Sequence, residues 1–336
     1  QTAGLASGSS FPSGVTSNAF IVTDGSGNTA TCSFTVTVND TEAPSITCPA
    51  NVSVSSDPGQ CAAIVTYSVS FNDNCAGATL NQTAGLSSGS SFPSGVTANT
   101  FVVTDGSGNT ATCSFTVTVN DTEAPSITCP ANVVVSNDPG LCAAIVTYSV
   151  NFNDNCAGAT LNQTTGLASG SSFPSGVTAN TFVVTDGSGN TATCSFTVTV
   201  NDTEAPSITC PANVVVSNDP GQCAAIVTYS VNFSDNCAGA TLNQTAGLAS
   251  GSSFPSGVTA NAFVATDGSG NTATCSFTVT VNDNQVPSIT CPANVVVSND
   301  PGQCAAIVTY SVGFNDNCAG STLNQTAGLA SSSSFP

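Results

Sequence analysis

Sixteen cysteines and nineteen carboxylates are the residues of this chain that could do chemistry, and both recur on one period. The cysteines fall into four sets, each spaced by 81 residues: Cys32, Cys113, Cys194 and Cys275; Cys48, Cys129, Cys210 and Cys291; Cys61, Cys142, Cys223 and Cys304; Cys75, Cys156, Cys237 and Cys318. No Cys-x-x-Cys pair occurs and there is no His, so a zinc cluster is a poor fit. Disulfides formed in an oxidising compartment are expected. The acids keep the same phase. Asp121 and Glu123 sit in a Pro-containing linker, Asp154 in Asn-Asp-Asn-Cys and Asp186 in Asp-Gly-Ser-Gly-Asn. One period on stand Asp202, Glu204, Asp235 and Asp267. Oxygen ligands without nitrogen or sulfur suit calcium.

The composition excludes whole classes of function. Lys, Arg and His are absent and the net charge is −19. Such a chain cannot neutralise nucleic-acid phosphates or dock on anionic lipid by charge. It has no amine for a Schiff base and no imidazole to shuttle protons. Ser and Thr abound, but no basic side chain activates them, and no repeat is specialised, so catalysis is not expected. Charged residues are only 6% and apolar residues 40%, which suits packed cores rather than a disordered acidic tail.

The elements that would position these residues are β-strands. In 122–202, residues 192–200 alternate strictly: Ala192, Cys194, Phe196, Val198 and Val200 face one way, Thr193, Ser195, Thr197 and Thr199 the other. Residues 179–186 form a second β-rich run, joined to it by the Asp186–Asn190 turn as a hairpin. Short strands are expected at 126–129 and 132–136, at an edge because of Pro130. Others are expected at 143–152 and 159–164, with a loop over 166–176 anchored by Phe173. The fold class is therefore all-β: tandem immunoglobulin-like antiparallel β-sandwich domains, disulfide-bonded, with a period of 81 residues. The domains read as 1–40 (partial), 41–121, 122–202, 203–283 and 284–336 (partial). Repeats 122–202 and 203–283 differ at five positions, 141, 153, 165, 181 and 184 of the first. There is no initiator Met, signal peptide or apolar run of membrane-spanning length. Because 1–12 and 325–336 share one phase, a slice of a longer array is expected. A subunit whose 1–40 completes the 284–336 of its neighbour is the alternative.

The ordered motifs make a family resemblance specific. They are Asp-Thr-Glu-Ala-Pro-Ser-Ile-Thr-Cys-Pro-Ala-Asn-Val (121–133), Asp-Pro-Gly-x-Cys (138–142), Asp-Asn-Cys-Ala-Gly (154–158), the run 163–176, and Asp-Gly-Ser-Gly-Asn-x-Ala-Thr-Cys-Ser-Phe-Thr-Val-Thr-Val (186–200). The whole repeat resembles the hyalin repeat (HYR) domain. The resemblance implies extracellular or cell-surface placement, adhesion and tandem arrays, without catalysis. Many members carry two cysteines, which implies that Cys129 pairs with Cys194 and, by phase, Cys48 with Cys113 and Cys210 with Cys275. Cys61, Cys75, Cys142, Cys156, Cys223 and Cys237 are then left. Cys142 pairs with Cys156 only if the chain between them folds back. Those fourteen residues extended would span on the order of 45 Å, against about 5–6 Å between bridged Cα atoms. A bridge between neighbouring repeats, such as Cys61 to Cys156, is the sharper expectation, and both stay open.

In an immunoglobulin-like topology the turns holding Asp154 and Asp186 lie at the end facing the previous repeat. Asp121, Glu123, Asp154 and Asp186, and likewise Asp202, Glu204, Asp235 and Asp267, then converge at a joint that suits calcium. The competing reading gives Asp186 and Asn190 to turn hydrogen bonds and leaves the linker acids solvated. At the last joint Asn284-Gln285-Val286 replaces Thr-Glu-Ala, so calcium is expected to bind least tightly there. Asn-Gln-Thr sequons recur at Asn81, Asn162, Asn243 and Asn324, where glycans would solubilise a surface poor in charge. The expected function is structural: an extracellular rod or filament, a surface appendage or matrix fibre, whose partners are itself and cell-surface or matrix components. The alternative is the spacer stalk of an adhesin whose binding head lies outside these residues.

Overall fold

The computed structural model describes residues 1–336, as strands and turns without a helix. It divides into two compact units. One comprises Gln1–Ala131, Tyr148–Ala168 and Ala179–Phe196, the other Asn132–Thr147, Ser169–Thr178 and Thr197–Pro336. Repeat 41–121 lies wholly in the first and repeat 203–283 wholly in the second.

Repeat 41–121 shows how the pattern folds. Its strands are β1 (Ser45–Thr47), β2 (Val52–Ser55), β3 (Ala62–Ile64), β4 (Ser70–Asn72), β5 (Thr79–Ala84), β6 (Ser91–Pro93), β7 (Gly95–Thr104) and β8 (Thr110–Asn120). On β8 the alternation turns Phe115, Val117 and Val119 inward and leaves the Thr and Ser side chains on the outer face. β7 and β8 form an antiparallel hairpin with Thr104 opposite Thr110. The four-stranded sheet runs β2-β8-β7-β5. β2 is at its edge, where the neighbouring Pro49 costs no ladder hydrogen bond, and it runs parallel to β8, with Val52 opposite Val117. The sheet is thus mixed, one parallel pair beside two antiparallel ones. Two antiparallel pairs, β1–β4 and β3–β6, make the other strands.

Two expectations need correction. The single strand expected over 143–152 is two, Ala143–Val146 and Asn151–Asn153, pairing with Ser171–Pro174 and Ser126–Thr128 respectively. The reason is visible at the corresponding Tyr67. Its amide donates to Ser88 Oγ (2.8 Å), and that hydroxyl donates back to the Tyr67 carbonyl (2.7 Å). A side chain thus takes the place of a neighbouring strand. The loop expected over 166–176 contains the strand Ser171–Pro174, which its Ser, Gly and Pro content conceals.

The core joins the two layers. Ala63, Val65 and Phe92 pack with Phe101, Phe115, Val117 and Val119, and Tyr67 lies edge-on to Phe92, Phe101 and Phe115. The Tyr67 hydroxyl donates to the Leu86 carbonyl at 2.5 Å, so the half-buried ring keeps its polar end satisfied. Beside it Asn99, fully buried, accepts from the Leu86 amide (2.9 Å) through Oδ1. Gly85 (φ +89°) lies against that oxygen, and a Cβ there would collide with it. Cys48–Cys113 joins the residue after β1 to the middle of β8, with Cα atoms 5.8 Å apart. In a chain-entropy model, closing a loop of this length stabilises by about 4 kcal/mol. Repeat 203–283 has the same core, with Phe254 in the place of Phe92, and the same bridge, Cys210–Cys275.

Phe92 is 0% exposed. Phe92→Ala is expected to lower the opening free energy of β6 and β7 by about 3–5 kcal/mol, read by native-state hydrogen exchange of their amides.

Candidate functional site

The acids gather where one repeat passes to the next. Asp186 follows the strand Gly176–Thr185 and opens the Asp-Gly-Ser-Gly-Asn turn. Its Oδ1 accepts from the amides of Ser188 (2.9 Å) and Asn190 (2.8 Å), and its Oδ2 from Asn190 Nδ2 (2.8 Å). Asn190 Nδ2 also donates to the Asp121 carbonyl (3.2 Å), so the turn grips the linker. Asp121 Oδ1 accepts from the Glu123 amide and from Asn155 Nδ2, both at 3.2 Å. Asp154, in the turn after Asn151–Asn153, accepts from the Cys156 amide through Oδ2 (3.2 Å).

The structure brings Asp121, Asp154 and Asp186 together, with one oxygen of each within 4.8 Å of the others. Asp202, Asp235 and Asp267 form the same set, and so do Asp40, Asp73 and Asp105, one period earlier. Asp121 and Asp186 are each only 6% exposed. Glu123 and Glu204 stand outside the triads. Glu123 Oε2 accepts from the Gly59 amide (2.8 Å) and Glu204 Oε2 from that of Gly140 (2.7 Å), so each linker is fastened to a turn of the repeat before it. Gln285 does the same through Oε1 with Gly221 (2.9 Å), so replacing Glu by Gln there removes no triad oxygen. Asn155 and Asn236, not singled out from the sequence, each tie a triad to the previous repeat. Asn155 Nδ2 reaches the Gln60 carbonyl and Asn236 Nδ2 that of Leu141, both at 3.0 Å. Only their fixed phase beside the cysteine could have marked them.

The second set of bridges crosses the same joints. Cys61 pairs with Cys156, Cys142 with Cys237 and Cys223 with Cys318, each over 95 residues. The Cys142–Cys156 pairing within one repeat is not formed. Those two cysteines lie at opposite joints of their repeat and bond to different neighbours. Cys48–Cys113, Cys129–Cys194 and Cys210–Cys275 close within repeats. Cys75, expected among the disulfide cysteines, forms no bridge within residues 1–336. Cys32, Cys291 and Cys304 are free too. Asn81, Asn162, Asn243 and Asn324 are exposed, the first three on β5 and its equivalents at the sheet edge.

Burial by itself would raise the Asp186 pKa. The donors from Asn190, Ser188 and Gly189 outweigh it and hold the carboxyl below its ordinary value of 3.8. Asp105 and Asp267 are held down in the same way by their own turns. A hydrogen bond to Asp40, with burial and nearby carboxylates, pushes the Cys75 thiol up.

Comparison with known proteins fits this organisation. Residues 2–38, 39–119, 120–200 and 201–281 each match the HYR domain. The chain belongs to the HYR domain family. Hyalin of Strongylocentrotus purpuratus is 36% identical over 320 residues, covering 91% of this chain and 27% of that protein. Hyalin of Lytechinus variegatus is 31% identical over 319 residues, covering 90% of this chain and 59% of that protein. A serine-rich adhesin for platelets from Staphylococcus aureus is 32% identical over 148 residues, 37% of this chain and 6% of the adhesin. The chain therefore spans about a quarter and three-fifths of the two hyalins. The HYR match and the disulfides make this an extracellular repeat protein.

Two measurements follow. Alkylation of the unreduced chain is expected to leave the twelve cysteines of the six bridges unlabelled, which peptide mass mapping reads. Carboxyls depressed in the fold stabilise it above their ordinary value, and that stabilisation is lost as pH falls through the lower folded-state value. With chelator present, the thermal midpoint should stay level from about pH 7 to 5 and drop below about 4. A midpoint that rises on acidification would contradict the sign.

Proposed function

We propose that the HYR repeats are themselves the working part: an extracellular rod or filament, in a surface appendage or matrix fibre, that links cells or projects from them. The observation that supports this is the inter-repeat bridge. Cys61–Cys156, Cys142–Cys237 and Cys223–Cys318 recur at one phase and join the four repeats from 41 to 336 covalently in series. A domain used only to bind a ligand has no need of that link, whereas an array under load does. Near-identity of the repeats points the same way, because recognition surfaces usually diverge. The partners of such an array are further copies of itself and components of the cell surface or matrix.

A second reading is favoured by the platelet adhesin, whose matching region is a small part of a long protein. There the repeats are the stalk of an adhesin and the binding head lies elsewhere. Electron microscopy of the native secreted or shed material separates the two. Long filaments with a period of one or a few repeats are expected. Short single rods ending in a globular head would overturn the fibre reading in favour of the stalk.

A further inference from the structure

We infer that each aspartate triad is a calcium site and that the disulfide beside it sets how tightly the ion is held. The inference holds for a fibre or a stalk. The triads alone are only clustered acids. The observation that points to a ligand is the state of their remaining oxygens. Asp121 Oδ2 belongs to a side chain 6% exposed, is itself buried, and accepts no hydrogen bond. Asp154 Oδ1 and Asn155 Oδ1, at the same joint, are also buried without a donor. Asp202 Oδ2, Asp235 Oδ1 and Asn236 Oδ1 repeat the arrangement, with Asp202 7% exposed. An unanswered buried acceptor is costly, and more so when it carries charge. It recurs here in a chain that has no Lys, Arg or His to answer it. A cation among the three carboxylates supplies the positive charge that no side chain here can.

The donor set selects the ion. Every available group is a carboxylate or amide oxygen, and the nearby cysteine sulfur is held in a disulfide and is no thiolate ligand. Calcium accepts six to eight such oxygens in flexible geometry and completes its shell with water, whereas magnesium demands a tighter octahedron.

The coupling follows from chain order. Asp154, Asn155 and Cys156 are consecutive. Asp154 belongs to the triad, Asn155 Nδ2 bonds both Asp121 Oδ1 (3.2 Å) and the Gln60 carbonyl (3.0 Å), and Cys156 is bridged to Cys61, next to Gln60. The bridge therefore fixes the turn that carries one ligand against the repeat that carries another. Without it, Asp154 must be ordered by the ion itself, at a cost in affinity.

The test is calorimetric titration of the full chain, stripped with chelator, using calcium chloride and, separately, magnesium chloride. Asp40→Asn with Asp202→Asn leaves the Asp121 set as the one intact triad. In that background we expect one ion per chain. Adding Cys61→Ser with Cys156→Ser should weaken binding on the order of tenfold, with the circular dichroism unchanged. Asp121→Asn, which keeps the bridge, should abolish uptake. No uptake by the background chain, or uptake that survives Asp121→Asn, overturns the site. Uptake of magnesium but not calcium overturns the ion assigned. Equal affinity with and without the bridge overturns the coupling. If the double-serine chain loses its circular dichroism, the comparison is made at the Asp202 set, with Asp40→Asn and Asp121→Asn as background and Cys142→Ser with Cys237→Ser removing its bridge. Binding about tenfold weaker is expected there too, and equal affinity overturns the coupling.

Discussion

In this chain no negative charge can be answered by a side-chain cation. With nineteen acids and no Lys, Arg or His, every carboxylate must find amide or hydroxyl donors, remain in water, or meet an ion from outside. Much of the local architecture follows. Asp186 is wrapped by the amides of its own turn, and Glu123 is spent on the Gly59 amide across the joint. Side-chain amides take over the part that Arg and Lys play elsewhere: Asn155 and Asn190 bind acid on one side and a backbone carbonyl on the other. Covalent bonds supply the cross-links that ion pairs cannot.

The small core imposes a second constraint. Seven buried side chains, centred on Phe92, hold the two layers of repeat 41–121 together. A domain of this size buries a modest fraction of its surface and gains from a staple. Cys48–Cys113 provides one within the repeat, and Cys61–Cys156 extends the principle to the joint. The joint is thereby built more like an interior, with Asp121 and Asp186 buried, than like a solvated linker.

The long strands were legible because their chemistry is local. On β8 the alternation of Thr with Phe and Val dictates the face, and the Asp-Gly-Ser-Gly-Asn turn dictates the hairpin. The break at Tyr148 was not legible, because its cause, at the equivalent Tyr67, is a hydroxyl contributed from 21 residues away. The strand Ser171–Pro174 was hidden by its own composition. At the joint, Asp154 and Asp186 were found from turn chemistry and topology. Glu123 groups with them in the sequence, because a linker carboxylate looks the same whether it faces acids or an amide. Period alone cannot say which cysteine bonds to which, only that whatever holds for one repeat holds for the next.

The offset of the inter-repeat bridge has a topological consequence. Each such bridge spans 95 residues, fourteen more than the period, so successive covalent loops overlap. From Cys48 to Cys318 there is no peptide bond that is not also bypassed by at least one disulfide. A single break in the backbone anywhere in that stretch leaves one connected molecule. The chain is tolerant of a nick in the way a laced seam is: severance requires a second failure, in a bond of different chemistry, at the same place.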